Sequence, residues 1–328
     1  MSLSNNNEKM SIGRFISETV ASPTRIPFVV VIAVILIFQL MNPTFLSYQG
    51  LVTLVYSMSY FLIAACGLTF VVMMGSFDFS SISVMKFSAL LCVLYIDDFG
   101  LWIIPITLLC CAIIGFVSGF LVAKLGVPSF MATLGISIVV DGISLLMSKG
   151  FLHLMEHEGF RSISTTFIAG IPSVFHWSIA IWVLCAVLAA TTPFGRRTYA
   201  IGGNARAAVL SGINLDSQRI QVFMLSGLLA GAAGVFYMSQ LGGGSVEIGG
   251  QMMIPLFASV VAGGTSLRGG TGGPQNTLLG VIIITWIQSG LRMMGTGMET
   301  QMVILGLIAI GMSIATTDRN KFRRVIVK

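Results

Sequence analysis

Charged side chains are scarce in this sequence, and their scarcity excludes most classes of protein. Asp, Glu, Lys and Arg make up 9% of the 328 residues, whereas hydrophobic residues make up 55%. So few charges cannot cover a water-facing surface, which excludes an ordinary soluble domain. The composition predicts an all-α, polytopic transmembrane helical bundle, because helices satisfy their own backbone hydrogen bonds in lipid.

A phosphate-binding lysine is missing from the one segment whose glycine spacing suggests a nucleotide site. Residues 264–271 read GTSLRGGT, which has the spacing of GxxxxGKT, but Gly270 stands at the lysine position and no strand-to-helix context surrounds it. The chain is therefore predicted to be neither an ATPase nor another enzyme and to bind no cofactor of its own. Its glycines instead favour a tight turn and close helix packing.

Cysteine and histidine are few, and together they offer one metal-binding pattern. The five cysteines lie inside apolar runs without metal-ligand spacing and are expected to be small core side chains. His153, Glu156 and His157 spell HxxEH, the inverted zinc-protease pattern, with Glu247 as the candidate third ligand. The short segment around the motif favours a solvated extracytoplasmic loop, and a membrane zinc enzyme is the alternative that the motif leaves open.

Long apolar runs predict roughly ten membrane-spanning helices. The predicted spans are 26–41, 51–74, 81–96, 101–123, 128–147, 172–190, 219–241, 252–262, 277–294 and 300–316. The crossings around Asp78 and Gly263 are the weakest, and a broken or re-entrant helix is the alternative at each. Gly115 and Gly119 have the GxxxG spacing of a close helix contact. The chain divides into a leader, 1–25, a transmembrane domain, 26–316, and a basic tail, 317–328.

Basic residues are concentrated outside the apolar runs. The net charge of +6 could suggest nucleic-acid binding, but most of the 18 Lys and Arg residues lie in the leader, in a loop at 192–219 and in the tail. Ten crossings place these three segments on one side, which the positive-inside rule identifies as the cytoplasm. Both termini are therefore predicted to be cytoplasmic, and no nucleic-acid partner is expected.

One polar island interrupts the apolar sequence at residues 192–216, TPFGRRTYAIGGNARAAVLSGINLD. Asn204 can cap a short helix from about Ala205 to Ser211, and Gly212 can supply its left-handed end. The exposed faces of this helix are expected to carry small side chains, namely Ala205, Ala207, Ala208 and Ser211. Another protein could approach the backbone closely there, so we interpret the loop at 192–219 as a docking surface framed by arginines.

The stretch TPFGRRTYAIGGNARAAVLSGI resembles the cytoplasmic loop of the ribose-type family of ABC importer permeases, in which the short helix after GGN sits in a cleft of the ATPase. The blocks PSFMATLG, LSGLLAGAAG and VVAGGTSLRGGTGG, at 128–135, 225–234 and 260–273, are similar to further blocks of that family. The resemblance implies an ATPase-coupling loop that comprises Gly202, Gly203, Asn204, Ala205, Arg206, Ala207, Ala208, Ser211 and Gly212.

The resemblance also implies a membrane-spanning translocation subunit that imports a monosaccharide or a related small polar solute through a bacterial inner membrane. The expected partners are an ATPase that binds ATP and Mg, a periplasmic or lipid-anchored solute-binding protein, a second permease copy or homologue, and membrane lipids. A proton-coupled secondary transporter that uses Asp78, Asp141 or His153 is the alternative from another class.

Ionisable groups at membrane depth are the candidate pathway residues. A charged Asp costs about 2.5–3.5 kcal/mol at a bilayer centre, so Asp78 and Asp141 are expected to face protein, water or a polar solute. Asp78 corresponds to the aspartate of the family's GGIDLSVG block, from which GSFDFSSI departs at several positions. The predicted pathway residues are Asp78, Asp141, Gln251 and Gln288. A structural hydrogen bond or ion pair is the alternative for each aspartate.

Overall fold

The computed structural model describes residues 26–244 and 252–316, which form a bundle of α-helices with two very small sheets. The all-α membrane class expected from the composition is confirmed. The leader, the tail, the candidate pathway residue Gln251 and the candidate zinc ligand Glu247 lie outside the described residues.

The longer helices are α1 (Ile26–Met41), α2 (Tyr48–Met73), α3 (Ser81–Phe99), α4 (Ile103–Lys124), α5 (Ser129–Ser148), α7 (Ser173–Thr191), α10 (Leu215–Leu241), α12 (Pro274–Met293) and α13 (Met298–Thr316). The shorter ones are α6 (Glu158–Thr165), α8 (Pro193–Gly203), α9 (Ala205–Leu210) and α11 (Met253–Ala262). Strand β1 (His153–Leu154) pairs antiparallel with β4 (Gly243–Gly244), and β2 (Phe167–Ile168) pairs antiparallel with β3 (Ile171–Pro172).

Five helical segments among the described residues are long and apolar enough to cross a membrane by length and composition. They are α2, α5, α7, α10 and the run Ser81–Lys124, in which a 3₁₀ turn joins α3 to α4. Each predicted span overlaps one of the helices. The count of about ten crossings stays a prediction, because several of those helices are shorter or less apolar.

Helix α10 lies at the centre of the bundle and packs against α2, α3 and α4. Small residues make this possible, since a side chain at Gly227 would overlap the Cys111 carbonyl oxygen and one at Gly115 would overlap the Phe223 carbonyl oxygen. A side chain at Gly119 would come within 2.8 Å of the Ile220 Cα. The close contact predicted from the GxxxG spacing is therefore confirmed, and it joins α4 to α10.

Two non-helical breaks interrupt the bundle where the sequence indicated weak crossings. Residues 74–80 separate α2 from α3, and a segment we call the glycine loop, residues 263–273, separates α11 from α12. Helix α11 has 10 residues, so it covers about 15 Å, roughly half of a ~30 Å hydrocarbon core. Several glycines of the loop have positive φ angles, which favour glycine, so the predicted tight turn is confirmed.

Candidate functional site

The short helix expected in the polar island is present as α9. Asn204 caps it, because its Oδ1 accepts a hydrogen bond from the Ala207 amide at 3.1 Å, and Gly212 follows it with φ +80°. Thr192 caps the preceding helix α8 in the same way, accepting from the Gly195 amide at 3.3 Å. The helix and its two ends were predictable because capping depends on residues only two or three positions away.

The exposed face of α9 differs from the prediction. Ala208 was expected to be exposed, but it is only 4% exposed and packs into the main core cluster with Ile201. Ala207 and Ser211 are exposed as predicted, but the solvent-facing side also carries Arg206, Val209 and Leu210, of which Leu210 is 89% exposed. The reason is tertiary: α9 rests on the bundle through Ala208, and this turns the next two apolar side chains outward.

The polar island is fixed to the bundle by buried hydrogen bonds. The Gln218 side chain at the start of α10 is buried, and its Nε2 donates to Thr198 Oγ1 at 2.9 Å and to the Phe194 carbonyl at 3.0 Å. The Ile213 amide also donates to the Ala208 carbonyl at 3.0 Å. Helices α8 and α9 therefore form one rigid unit with the first turn of α10.

The glycine loop lies directly against this unit. The Tyr199 hydroxyl of α8 donates to the Gly272 carbonyl at 2.6 Å, and the Gln275 Nε2 donates to the same hydroxyl at 3.2 Å. On the other side, the Gly270 amide donates to the Met73 carbonyl at the end of α2, at 2.8 Å. A side chain at Gly202 would overlap that carbonyl oxygen. The close packing expected of the glycines thus joins the polar island to two helices of the bundle.

Asp78, a candidate pathway residue, is buried in the break between α2 and α3. Its Oδ1 accepts hydrogen bonds from the Ser80 amide and hydroxyl at 2.9 and 2.5 Å, and its Oδ2 accepts one from the Ser226 hydroxyl of α10 at 2.7 Å. The Ser129 and Thr133 hydroxyls of α5 accept from the Phe77 and Phe79 amides on either side of it. This arrangement favours the structural hydrogen-bonding role over contact with solute.

Asp141, the second candidate, forms an ion pair, which was the alternative given for it, with a partner that the sequence analysis did not identify. Its Oδ1 lies 2.8 Å from Nζ of Lys86 on α3, and both side chains line a cavity of about 160 Å³. The available signal was a lysine inside the apolar run 81–96. This lysine could not be identified as the partner of Asp141 without knowledge that α3 packs against α5.

The third candidate in the described part of the chain, Gln288, is half-buried on α12. It is not among the residues that line the cavity. The structure therefore brings neither Gln288 nor Asp78 together with Asp141 in one site.

The HxxEH motif is not on a helix. His153 lies in β1, where its Nε2 is 3.1 Å from the Ser148 carbonyl, and His157 caps α6 by accepting from the Phe160 amide at 3.1 Å. The two histidines are therefore not one helical turn apart, as the zinc-protease geometry requires. Within residues 26–244 and 252–316, no three His, Cys, Asp or Glu side chains are grouped to hold a metal ion.

Comparison with known proteins gives the family. Residues 50–313 match the family described as branched-chain amino acid transport system / permease component. The chain is 31% identical over 322 residues to the ribose import permease protein of Haemophilus influenzae (94% of this chain, 95% of that one) and 33% identical over 294 residues to that of Bacillus subtilis (87% and 89%).

A second sugar permease is similar to the same extent, and no solved structure matches the chain. The L-arabinose transport system permease protein of Escherichia coli is 30% identical over 287 residues, which are 86% of each chain. These relatives are transport permeases rather than enzymes. The apolar helices, the family match and the similarity along nearly the whole chain lead to one conclusion: this protein is a multi-pass membrane permease subunit that belongs to the permease-component family of binding-protein-dependent ABC transport systems.

Proposed function

We propose that this chain is the translocation subunit of an ATP-driven importer for a monosaccharide or a related small polar solute. The observation that carries the proposal is α9, a short capped helix at one end of the bundle. Its Val209 and Leu210 side chains are exposed to solvent beside Arg206. The solute class is supported by the names of the relatives, which are ribose and L-arabinose permeases.

Val209 and Leu210 are neighbouring exposed apolar side chains in a polar loop, and such an exposed apolar surface suits a protein contact. A protruding leucine next to an arginine suits insertion into a cleft of another protein, because hot spots combine a desolvated apolar anchor with an Arg. The occupied cleft would belong to an ABC ATPase that binds ATP and Mg on its own residues. The Gly202 to Gly212 segment supplies the docking surface, with Leu210 rather than Ala208 at its tip.

Coupling would run from α9 into the membrane through backbone contacts. Closure of the ATPase on ATP moves α8 and α9 together, because Gln218 ties α8 to α10 and Ile213, just before α10, donates to the Ala208 carbonyl of α9. The movement then reaches the glycine loop through Tyr199 and the end of α2 through Gly270. Such a displacement would alternate access to a route between this chain and a second permease copy or homologue.

The remaining parts of the proposal concern topology and the outer side. About ten crossings of a bacterial inner (plasma) membrane place both termini and α9 in the cytoplasm and the segment 149–172 outside. A periplasmic or lipid-anchored solute-binding protein would deliver solute on that outer side. Basic residues around α9 support this orientation by the positive-inside rule.

Loss of ATPase binding by Leu210→Glu is the test of the docking role. We expect the variant to insert normally but to bind the ATPase at least about thirty-fold more weakly, because a desolvated hot-spot side chain is worth ~2 kcal/mol or more. Copurification of the ATPase from detergent extracts measures this. Leu152→Glu, which changes an exposed leucine at the opposite end of the bundle, is the matched control.

Three results would contradict the proposal. Normal copurification with Leu210→Glu would remove α9 from the interface, and equal losses in both variants would show a general effect of a new charge. If the native chain binds no ATPase and supports uptake driven by a proton gradient, it is a secondary transporter instead.

A further inference from the structure

A small cavity lies between α3, α5 and the start of α11, away from the docking helix. Its volume is about 160 Å³, and its polar lining is Ser83, Lys86, Ser137 and Asp141, with the Phe79 ring on the wall. At the ~30 Å³ that each water molecule takes in the liquid, it has room for about five waters or one small solute.

The two charged side chains in the cavity form an ion pair, but they do not use all of their hydrogen-bonding capacity on protein groups. Lys86 is 10% exposed and Asp141 is 36% exposed, so the carboxylate is the more open partner. Asp141 Oδ1 is itself buried against Lys86, so the exposed part of this carboxylate, which a guest could reach, is Oδ2. Nearby, the Ser83 and Ser137 hydroxyls lie 2.9 Å apart. Hydrogen-bonding capacity is therefore left over for a guest.

The depth of the pair excludes an open contact with lipid. Asp141 is the thirteenth residue of α5, which places it about 18 Å along a helix of about 30 Å and near the bilayer centre. A charged group there costs about 2.5–3.5 kcal/mol, so an exposed carboxylate must face water, protein or a polar solute. Ile138, one residue from Ser137, is 72% exposed and is not among the residues that line the cavity.

The chemistry of the lining selects an uncharged guest with many hydroxyls. The ammonium of Lys86 can donate to a hydroxyl while the carboxylate of Asp141 accepts from another, and their charges cancel, which disfavours a net anion or cation. Phe79 is held rigidly, because its ring centroid is 4.9 Å from that of Phe257 and 5.2 Å from that of Phe130. Such a fixed ring can cover the C–H face of a sugar.

We propose that the Lys86–Asp141 cavity is a binding site for a neutral, polyhydroxylated solute on the translocation route, with Ser83 and Ser137 as further hydroxyl partners. This inference rests on the proposed import function for its solute class. Lys86 and Asp141 would act by direct contact with solute hydroxyls.

Thiol labelling tests whether the cavity holds water and sugar. Ser137→Cys and, as the matched control, Ile138→Cys are made in a full-length chain that lacks the five native cysteines. A charged methanethiosulfonate reagent should modify residue 137 at least about ten-fold faster than residue 138, because such reagents react only where water reaches the thiol. D-ribose, L-arabinose or ribitol at high concentration should slow the modification of residue 137, whereas L-leucine should not.

Each labelling result decides something. Equal or absent reactivity at the two positions overturns the water-filled cavity. Protection by L-leucine alone, or by none of the probes, overturns the polyhydroxylated ligand. These measurements need no ATPase, so they stay informative even if the docking proposal fails, whereas loss of ATP-driven uptake in the native chain would overturn the import function alone.

Charge variants separate solute contact from a structural ion pair. Asp141→Asn should reduce uptake and sugar protection by about ten-fold, the equivalent of losing one charge-assisted hydrogen bond. The double variant Lys86→Met with Asp141→Leu removes both charges, and a purely structural pair tolerates such a replacement. Reduced uptake by a normally inserted double variant supports the site, and native uptake overturns it.

Discussion

At the scale of the single residue, burial separates the two aspartates that the sequence presented as equals. Asp78 uses both carboxylate oxygens on Ser80 and Ser226, whereas Asp141 faces a cavity with one lysine. In both cases the residue-level signal was a lone carboxylate in an apolar setting, and Asp78 also matched a family block. Only the packing of α3 against α5 and α10 shows that Asp78 stabilises the break between α2 and α3, whereas Asp141 can contact solute.

Replacement of Asp78 should therefore affect stability before transport. Asp78→Asn keeps the Oδ1 acceptor for Ser80, and the Ser226 hydroxyl can rotate to accept from the new amide, so uptake should stay within about two-fold of native. Asp78→Ala leaves the buried Ser80 amide unpaired and should cost about 1–3 kcal/mol of stability. Thermal unfolding in detergent measures the difference. A ten-fold loss of uptake by a stable Asp78→Asn chain would show that Asp78 contributes to the solute pathway rather than to structure alone.

At the scale of the element, local signals were enough for α9 but not for its orientation. Asn204 and Gly212 fixed its ends, because capping depends on neighbours in sequence. The burial of Ala208, the exposure of Leu210 and the partner of Asp141 depend on helices that are remote in sequence. Likewise the glycine loop was recognisable as a turn, but its contact with Tyr199 and Met73 was not.

Gly202 and Gly203 give a matched test of the contact between α8 and α2. An added methyl group at Gly202 would overlap the Met73 carbonyl, whereas one at Gly203 would meet no atom within 4 Å. We expect Gly202→Ala to push α8 away at a cost of about 1–3 kcal/mol, with uptake reduced about ten-fold or more, and Gly203→Ala, which leaves this contact intact, to reduce uptake much less. Uptake assays at equal expression measure both. Native uptake by Gly202→Ala would show that this contact does not transmit coupling.

At the scale of the whole molecule, the polar segments lie at the two opposite ends of the bundle. The polar island and the glycine loop lie at one end, and α6 with its two small sheets lies at the other. The order of helices and their apolar lengths were predictable from composition and turn residues. Which helix lies in the centre was not, because α10 is defined by the small residues that let α2, α3 and α4 approach it.

Two exposed positions test the orientation. Single cysteines that replace Ser211 next to α9 and Glu158 at the start of α6, in a chain without the five native cysteines, should be labelled from the cytoplasmic and outer sides respectively. An impermeant thiol reagent applied to intact and to inside-out membranes measures this. Reversed labelling would invert the topology. Labelling of both positions from the same side would mean that the number of crossings between them is wrong by an odd number.

The meeting point of Gly202, Gly270 and Met73 has a mechanical consequence. Side chains in contact can accommodate a displacement by changing rotamer. Here backbone contacts backbone directly, with no side chain between α8, the glycine loop and α2. Interiors packed this closely are stiff and transmit strain. We therefore expect a shift of the docking unit to be passed on to the end of α2, next to the break that holds Asp78.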